Sequence, residues 1–268
     1  MPQRIGKYTI ELKSKPSIIG YGAVVGKKEA EGPLGKGFDI TSTDEFFGEK
    51  TFEKAETKMQ KMTIETAIKK SGLSKKDIQI AFAGDLLNQC IGSSFDMRDL
   101  GFCFAGLYGA CSTMALSLAL AGIFVDSGAA KTALAAASSH FCSAERQYRY
   151  PLEYGGQRSP ASQWTVTGAG AAVVTKNQES TPKIERVIIG SVRDLGITDV
   201  NNMGAAMAPA AAQTIGDFLI DTATSPEDYD LILTGDLGST GSELLKTGGA
   251  SPSPTQAPTF SASIPVRL

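Results

Sequence analysis

A cysteine, Cys111, stands where a glycine-bearing turn meets a long uncharged stretch, in the run Leu107-Tyr108-Gly109-Ala110-Cys111-Ser112-Thr113. From Ser112 to Val125 the chain carries no charge. Such a stretch predicts a helix buried on all sides, and it falls short of the roughly 20 apolar residues of a membrane span. A thiol at a helix N-terminus meets the positive end of the helix dipole, which favours a thiolate or a bound anion. A thiolate used as a nucleophile needs a proton acceptor and an oxyanion hole beside it. His140 is the only histidine, and from about Ile184 onward the chain has neither His nor Cys. The catalytic set is therefore incomplete, and Cys111 reads better as a small turn residue or a non-covalent ligand contact.

His140 follows an apolar run, Lys131 to Ala137, and so falls at a C-terminal strand end, where α/β proteins place ligands. Arg146 and Arg149 come soon after, among Tyr148 and Tyr150. Guanidinium groups bind carboxylates bidentately and aromatic rings stack on planar groups, so this segment is a candidate ligand contact. The competing reading is a solvated loop. Asp85 and Asp236 each stand in a Gly-Asp-Leu triplet after an apolar run. Calcium needs several converging oxygens and no EF-hand pattern is present, so each Asp reads first as a cap on the following turn. Thr167-Gly-Ala-Gly-Ala-Ala-Val173 lacks the third glycine of a dinucleotide fingerprint and leads into a strand.

Behind these residues lies a duplication. Ser74 to Leu86 aligns without a gap on Ser225 to Leu237, at an offset of 151, with the Ser, Asp, Gly, Asp and Leu positions shared. Each copy reads as a turn, a buried parallel strand and a Gly-Asp-Leu strand end. Strands are expected at Ile18–Val25, Ile78–Ala83, Lys131–Ala137, Val166–Thr175, Ile184–Val192 and Asp230–Thr234. Helices are expected at Phe52–Ser71, with Ala55, Met59, Met62 and Thr66 on one face and Gly72 as its stop, and at Gly204–Ile220. Alternating strands and helices imply parallel sheets covered by helices, with the apolar helix between two sheets. The expected organisation is a first half over 1–180, a partial second half over 181–247 and a Pro/Ser-rich tail over 248–268.

The 268 residues are 42% hydrophobic and 20% charged, with a net charge of −2, so nucleic acid is not an expected partner. Four cysteines without CxxC spacing argue against a zinc site and for a reducing compartment. The N-terminal residues lack the apolar core of a signal peptide, and no apolar run reaches 18 residues, so any membrane association is expected to be peripheral.

A duplicated α/β unit with a cysteine heading a central helix resembles the thiolase-like superfamily, a layered αβαβα fold of two halves, here with the second half incomplete. A closer resemblance rests on Gly84-Asp-Leu-Leu-Asn88, Gly109-Ala-Cys-Ser-Thr113, Ser138-Ser-His140, Glu153-Tyr-Gly-Gly-Gln157, Asp194-Leu-Gly-Ile-Thr-Asp199 and Asp228-Tyr-Asp-Leu-Ile-Leu-Thr-Gly-Asp-Leu237. These motifs are similar to those of the stage V sporulation protein AD family, from about Gly32 to Leu237; the family's C-terminal part is absent or unrecognisable beyond about Leu245. The resemblance implies a non-enzymatic protein of endospore formation. It would bind dipicolinic acid or its calcium chelate and need no cofactor of its own. It would act with the other stage V sporulation A membrane proteins in a channel complex, peripheral on the forespore or spore inner membrane and otherwise cytoplasmic. Thiolase-like proteins commonly dimerise through the first-half sheet edge, so a homodimer is compatible with it. The candidate ligand contacts are Asp85, Asn88, Cys111, Ser138, His140, Arg146 and Arg149; no metal ligand is assigned. The rival readings are a condensing enzyme using Cys111 and a truncated, non-functional copy.

Overall fold

The computed structural model describes residues 1–148, 164–199 and 202–246. In chain order these form β1 (Gln3–Ile5), β2 (Thr9–Glu11), β3 (Ser17–Val25), α1 (Lys27–Ala30), β4 (Ile40–Thr41), α2 (Phe52–Ser71), β5 (Ile80–Gly84) and α3 (Ile91–Leu100). Then come β6 (Phe104–Gly106), α4 (Thr113–Ser127), β7 (Thr132–Ser139), α5 (Phe141–Tyr148), β8 (Gly168–Thr175), β9 (Arg186–Ile188), α6 (Met203–Thr222) and α7 (Gly238–Lys246). They divide into two compact units, the first holding β3 to β8 and the second β1, β2, β9, α6 and α7.

The first unit is built on a six-stranded sheet of order β4-β3-β8-β7-β5-β6. It is mixed, where a parallel sheet was expected: β5 runs parallel to β6 and β7, while β8 is antiparallel to both β3 and β7. Strand alternation sorts the core into two layers. Ala81, Ala83, Leu134 and Ala136 face Ile64, Ala67 and Ile68 of α2 and Met97 of α3. Phe82, Ala133 and Ala135 face Ala121 and Val125 of α4 on the opposite side.

The sequence of α2 explains its placement. Thr51 caps its N-terminus by accepting from Lys54 N, and Gly72 ends it at φ +74°. It lies directly on β3 because that strand offers glycine: a Cβ at Gly20 would stand 2.4 Å from the Ala67 carbonyl oxygen. The expected apolar face is displaced. Ala55 and Met59 are buried, but Met62 and Thr66 are only half-buried. The buried stripe instead includes Glu56, Gln60 and Thr63. The helix after Cys111 also differs from expectation: Thr113, Ser117, Ala119, Ala121, Gly122, Val125 and Asp126 of α4 are buried, but Ala115 is exposed and its leucines are half-buried. Ala121 and Val125 meet the sheet and Gly122 meets Leu12 and Ile184, while the side that carries Leu116 and Leu120 is half-buried, so burial covers most but not all of the helix. By length and composition alone, Ala110–Ser127 (mean hydropathy 1.5) is the one described segment that could cross a membrane; within this unit it packs on β7 and β5.

In the second unit β1, β2 and β9 form an antiparallel sheet. The carboxylate of Asp221 at the end of α6 accepts from the N–H groups of Lys7, Tyr8 and Thr9, each at 2.7 Å. The strand expected over Ile184–Val192 shrinks to the three residues of β9, and Asp230–Thr234 forms no strand. A strand exists only where a neighbour satisfies its ladder, and no described segment pairs with Asp230–Thr234. The tail over 248–268 lies outside the described residues.

Candidate functional site at the strand ends

The parallel register of β5 and β7 pairs Gly84 with Ala137. The next residues, Asp85 and Ser138, therefore emerge side by side at the C-terminal edge of the sheet. Asp85 is almost wholly buried. Its Oδ1 accepts from Leu87 N at 2.9 Å, and its Oδ2 accepts from the N–H and hydroxyl of Ser93 at 2.7 and 2.6 Å. It caps the turn and the start of α3 together. Burial raises its pKa, against the lowering effect of the Ser93 hydroxyl and of the Ser93, Leu87 and Gly92 N–H groups.

Between Asp85 and α3 the backbone is strained. Gln89 and Cys90 lie consecutively in the left-handed region, at φ 57° and 51°, and Ala110 follows at φ 47°. Non-glycine residues hold such angles only when their surroundings fix them, and they concentrate at ligand sites. Asp85 supplies part of that hold. The Cys90 thiol supplies more by donating to the Leu107 carbonyl at 3.1 Å, while burial raises its pKa. Gly84 lets the chain close up here, since a Cβ would stand 1.9 Å from the Leu107 oxygen.

A second set of side chains, which the sequence reading missed, ties the strand ends to α2. Gln60 Nε2 lies within hydrogen-bond distance of the Gly84 carbonyl (3.3 Å), Ser93 Oγ (3.1 Å) and Ser138 Oγ (3.1 Å). Glu56, one turn earlier, accepts from the Ser138 hydroxyl at 3.2 Å and the Ser143 hydroxyl at 2.8 Å. Glu56, Gln60 and Ser93 have no exposed surface. Burial, and then the charge of Asp85, push the Glu56 pKa up to about 8 against both hydroxyls. The available signal was a Glu and a Gln at i and i+4 on the apolar stripe of an amphipathic helix, where charged residues are rarely buried without purpose.

The other expected residues are spread around this network. Cys111 is exposed, in the single turn Ala110–Ser112 that precedes α4. Asn88 is exposed in the strained loop. His140 is buried at the end of β7, its Nε2 2.8 Å from the Glu45 carbonyl, while its Nδ1 accepts from Cys142 N at 3.2 Å. That pair of partners fixes the neutral tautomer with hydrogen on Nε2, and burial lowers the pKa despite the Glu45 carbonyl. His140 also lines a cavity of about 50 Å³ with Lys28, Glu29, Phe141, Trp164 and Thr167. Lys28 Nζ sits 3.1 Å above the Trp164 ring, which stacks on Phe141. Arg146 belongs to α5, but its side chain, like the whole of Arg149, lies outside the described residues. Among the described residues no three His, Cys, Asp or Glu side chains are grouped to hold a metal ion. Asp236 accepts from Gly238 N at 2.9 Å, the same two-residue turn that Asp85 makes with Leu87, but on the surface.

This arrangement can bind a ligand and fix a loop. Cys111 lies in a strained turn at a helix start, but the sole histidine is committed to a carbonyl and an N–H, and so cannot serve as a base in this geometry.

Comparison with known proteins gives the family. The model of the family described as Stage V sporulation protein AD matches residues 6–248. Stage V sporulation protein AD of Bacillus subtilis (strain 168) is 44% identical over 241 residues, which cover 90% of this chain and 71% of that protein. Among solved structures, a variant of Xanthomonas campestris OleA bound with cerulenin superposes with a TM-score of 0.62, at 14% identity, covering 89% of this chain and 80% of that one. A second OleA variant gives 0.61, again at 14% identity, covering 90% and 83%. At that identity the likeness shows the fold alone, and the fold is thiolase-like.

Proposed function

We propose that this chain, which belongs to the stage V sporulation protein AD family, is a binding protein for dipicolinic acid or its calcium chelate, working in the channel complex that loads the developing spore. Its role in sporulation follows from the family; the ligand, the partners and the peripheral attachment to the forespore membrane are the further reading. The observation that carries a binding role over catalysis is the state of His140. Both its ring nitrogens are engaged and it is held neutral, so a condensing reaction at Cys111 lacks the base it needs. The strained loop around Asn88, fixed by Asp85, and the exposed Cys111 turn supply preformed walls, while Arg146 and Arg149 supply the cations a dicarboxylate requires. Calcium enters as part of the ligand.

Calorimetric titration of the purified protein with dipicolinic acid, with and without calcium, tests this reading. Saturable binding that weakens at least several-fold in Arg146→Ala or Asn88→Ala is expected. A folded protein that takes up no dipicolinate in either condition would overturn it. The enzyme reading has its own observation, the strained Ala110 beside Cys111. It predicts alkylation of Cys111 at neutral pH well above the rate of a free thiol, and the binding reading predicts an ordinary rate.

A further inference from the structure

The chain Asp85–Ser93–Gln60–Ser138–Glu56–Ser143 crosses the interior from the end of β5 to α5. Two of its members are incomplete as drawn. Glu56 is wholly buried, and among the described residues it receives only hydroxyl hydrogen bonds and has no cation beside it. Gln60 Oε1 is buried without a donor among the described residues, although its Nε2 faces three acceptors and so fixes the orientation of the amide. An uncompensated carboxylate in the interior is costly, as is an acceptor with no donor. The two stand four residues apart on α2, where side chains meet. One hydrogen atom removes both costs.

We propose that this interior is a proton-binding site: Glu56 carries its carboxyl proton at neutral pH and donates it to Gln60 Oε1, and loss of that proton loosens the strand-end site. The charges acting on Glu56 are Asp85, at the end of β5, and Glu53, one turn back on α2. Among the described side chains, β7 and α5 turn the hydroxyls of Ser138 and Ser143 toward it, and Ser93 of α3 reaches it through Gln60. Two carboxyls joined through neutral groups, with no cation between them, do not both ionise cheaply, and the upward displacement of both Glu56 and Asp85 agrees. Ionised Glu56 would have no hydrogen to offer Gln60 Oε1. The cost would fall on Gln60, which holds Gly84, Ser93 and Ser138 in register. The proton therefore fixes the walls between which the strained loop is stretched, whatever ligand they receive.

Infrared difference spectroscopy of the parent protein against Glu56→Gln tests this directly. The expected result is a protonated carboxylic acid band at neutral pH in the parent, absent from the variant and titrating away toward about pH 8. Asp85→Asn removes the neighbouring charge and should move that titration toward acid. Thermal melts give a second readout. The parent should lose stability as pH climbs from about 4.5 to about 8, while Glu56→Gln, which keeps a donor to Gln60, loses clearly less over that window. A Glu56 that is ionised at neutral pH, or a parent and variant with parallel pH profiles, would overturn the proposal. Neither readout needs dipicolinate, so failure here is separate from failure of the binding reading.

Discussion

Phe52–Ser71 and Met203–Thr222 are helices of 20 residues each, set 151 positions apart at both ends. Thr51 caps the first by accepting from Lys54 N, and Asn202 caps the second by accepting from Ala205 N. Both helices end on a left-handed residue, Gly72 and Ala223. Both are followed by the same single turn, closed by reciprocal Ser–Asp bonds, Ser74 with Asp77 and Ser225 with Asp228. Beyond that point the copies diverge. Ile80–Gly84 is a central strand with Phe82 only 2% exposed; the residues matching Ile80 and Phe82 are Leu231 and Leu233, at 51% and 74% exposed, in a segment with no ladder. The polar chain is lost as well: Met207 and Ala211 stand where the first copy has Glu56 and Gln60. Helices and caps follow from local sequence, whereas a strand requires partners distant in sequence, and buried polar groups require the sheet that encloses them.

The widest gap between the copies is expected from matched isoleucines. Ile64 is fully buried on α2, and Ile215 holds the same position on α6 but is only half-buried. Ile64→Ala should destabilise the first unit by about 2–5 kcal/mol, and Ile215→Ala should cost about 1 kcal/mol. Denaturant melts of the two variants decide the matter; equal costs would mean that both helices bury the same face equally well.

Next comes the Gly-Asp-Leu pair. Asp85→Ala strands two buried N–H groups and a hydroxyl, and should cost about 3 kcal/mol. Asp236→Ala acts at an exposed turn and should cost about 0.5 kcal/mol. If the Asp236 variant is as damaging as the Asp85 variant, the second Gly-Asp-Leu turn is held as tightly as the first.

The units should also answer pH in opposite senses. Burial pushes Asp96 on α3 up to about 7, and neither of its oxygens has a hydrogen-bond partner among the described residues. A carboxyl raised above its unfolded value stabilises least when ionised, so the first unit loses stability as pH climbs from about 4 to about 7. Asp96→Asn should recover about 2 kcal/mol at pH 8 and change little at pH 5. Asp221 behaves in reverse. Burial would raise its pKa, but the N–H groups of Lys7, Tyr8 and Thr9 bring it down to about 2. Its contribution is complete above its unfolded value and fades as pH falls toward 2. Asp221→Asn should therefore lower the melting temperature at neutral pH and converge on the parent in strong acid. Melts of both variants across the pH range test the pair, and a shared pH profile would refute it.

Part of this molecule was legible in its sequence for a clear reason. The bounds of α2, the Gly72 stop, the β7 and β8 strands and the repeat itself rest on local signals of period, cap and turn. The mixed direction of the sheet did not show, because β8 reads the same whether it runs parallel or antiparallel. The half-exposed face of α4 was hidden by its composition: leucine and alanine all round gave no sign of which side met the sheet. At the site, Asp85 and His140 were found by their place after strands. Glu56 and Gln60 on α2, Ser93 and Ser143 come from three separate stretches of chain, and only the fold brings them together. His140 showed the limit in the other direction, since its residue type promised chemistry that its two hydrogen-bond partners take up.

The smallest expected effect is one on which the copies should agree. A capping side chain satisfies an N–H that the helix leaves without a partner, and its worth depends on the first turn rather than on what lies beneath the helix. Thr51 and Asn202 both accept from the third residue of their helices, at 3.3 and 3.2 Å. Thr51→Ala and Asn202→Ala should each cost about 1 kcal/mol, within a few tenths of each other, despite the different burial of the two helices. Hydrogen exchange at Lys54 and Ala205 reports each cap by itself, because the freed amide gains protection only from its cap. Equal loss of protection at both amides would place the divergence of the copies wholly in their packing. A large excess at Lys54 would mean that α2 borrows strength at its N-terminus from the sheet, and the separation of local from distant causes would then fail at the first turn.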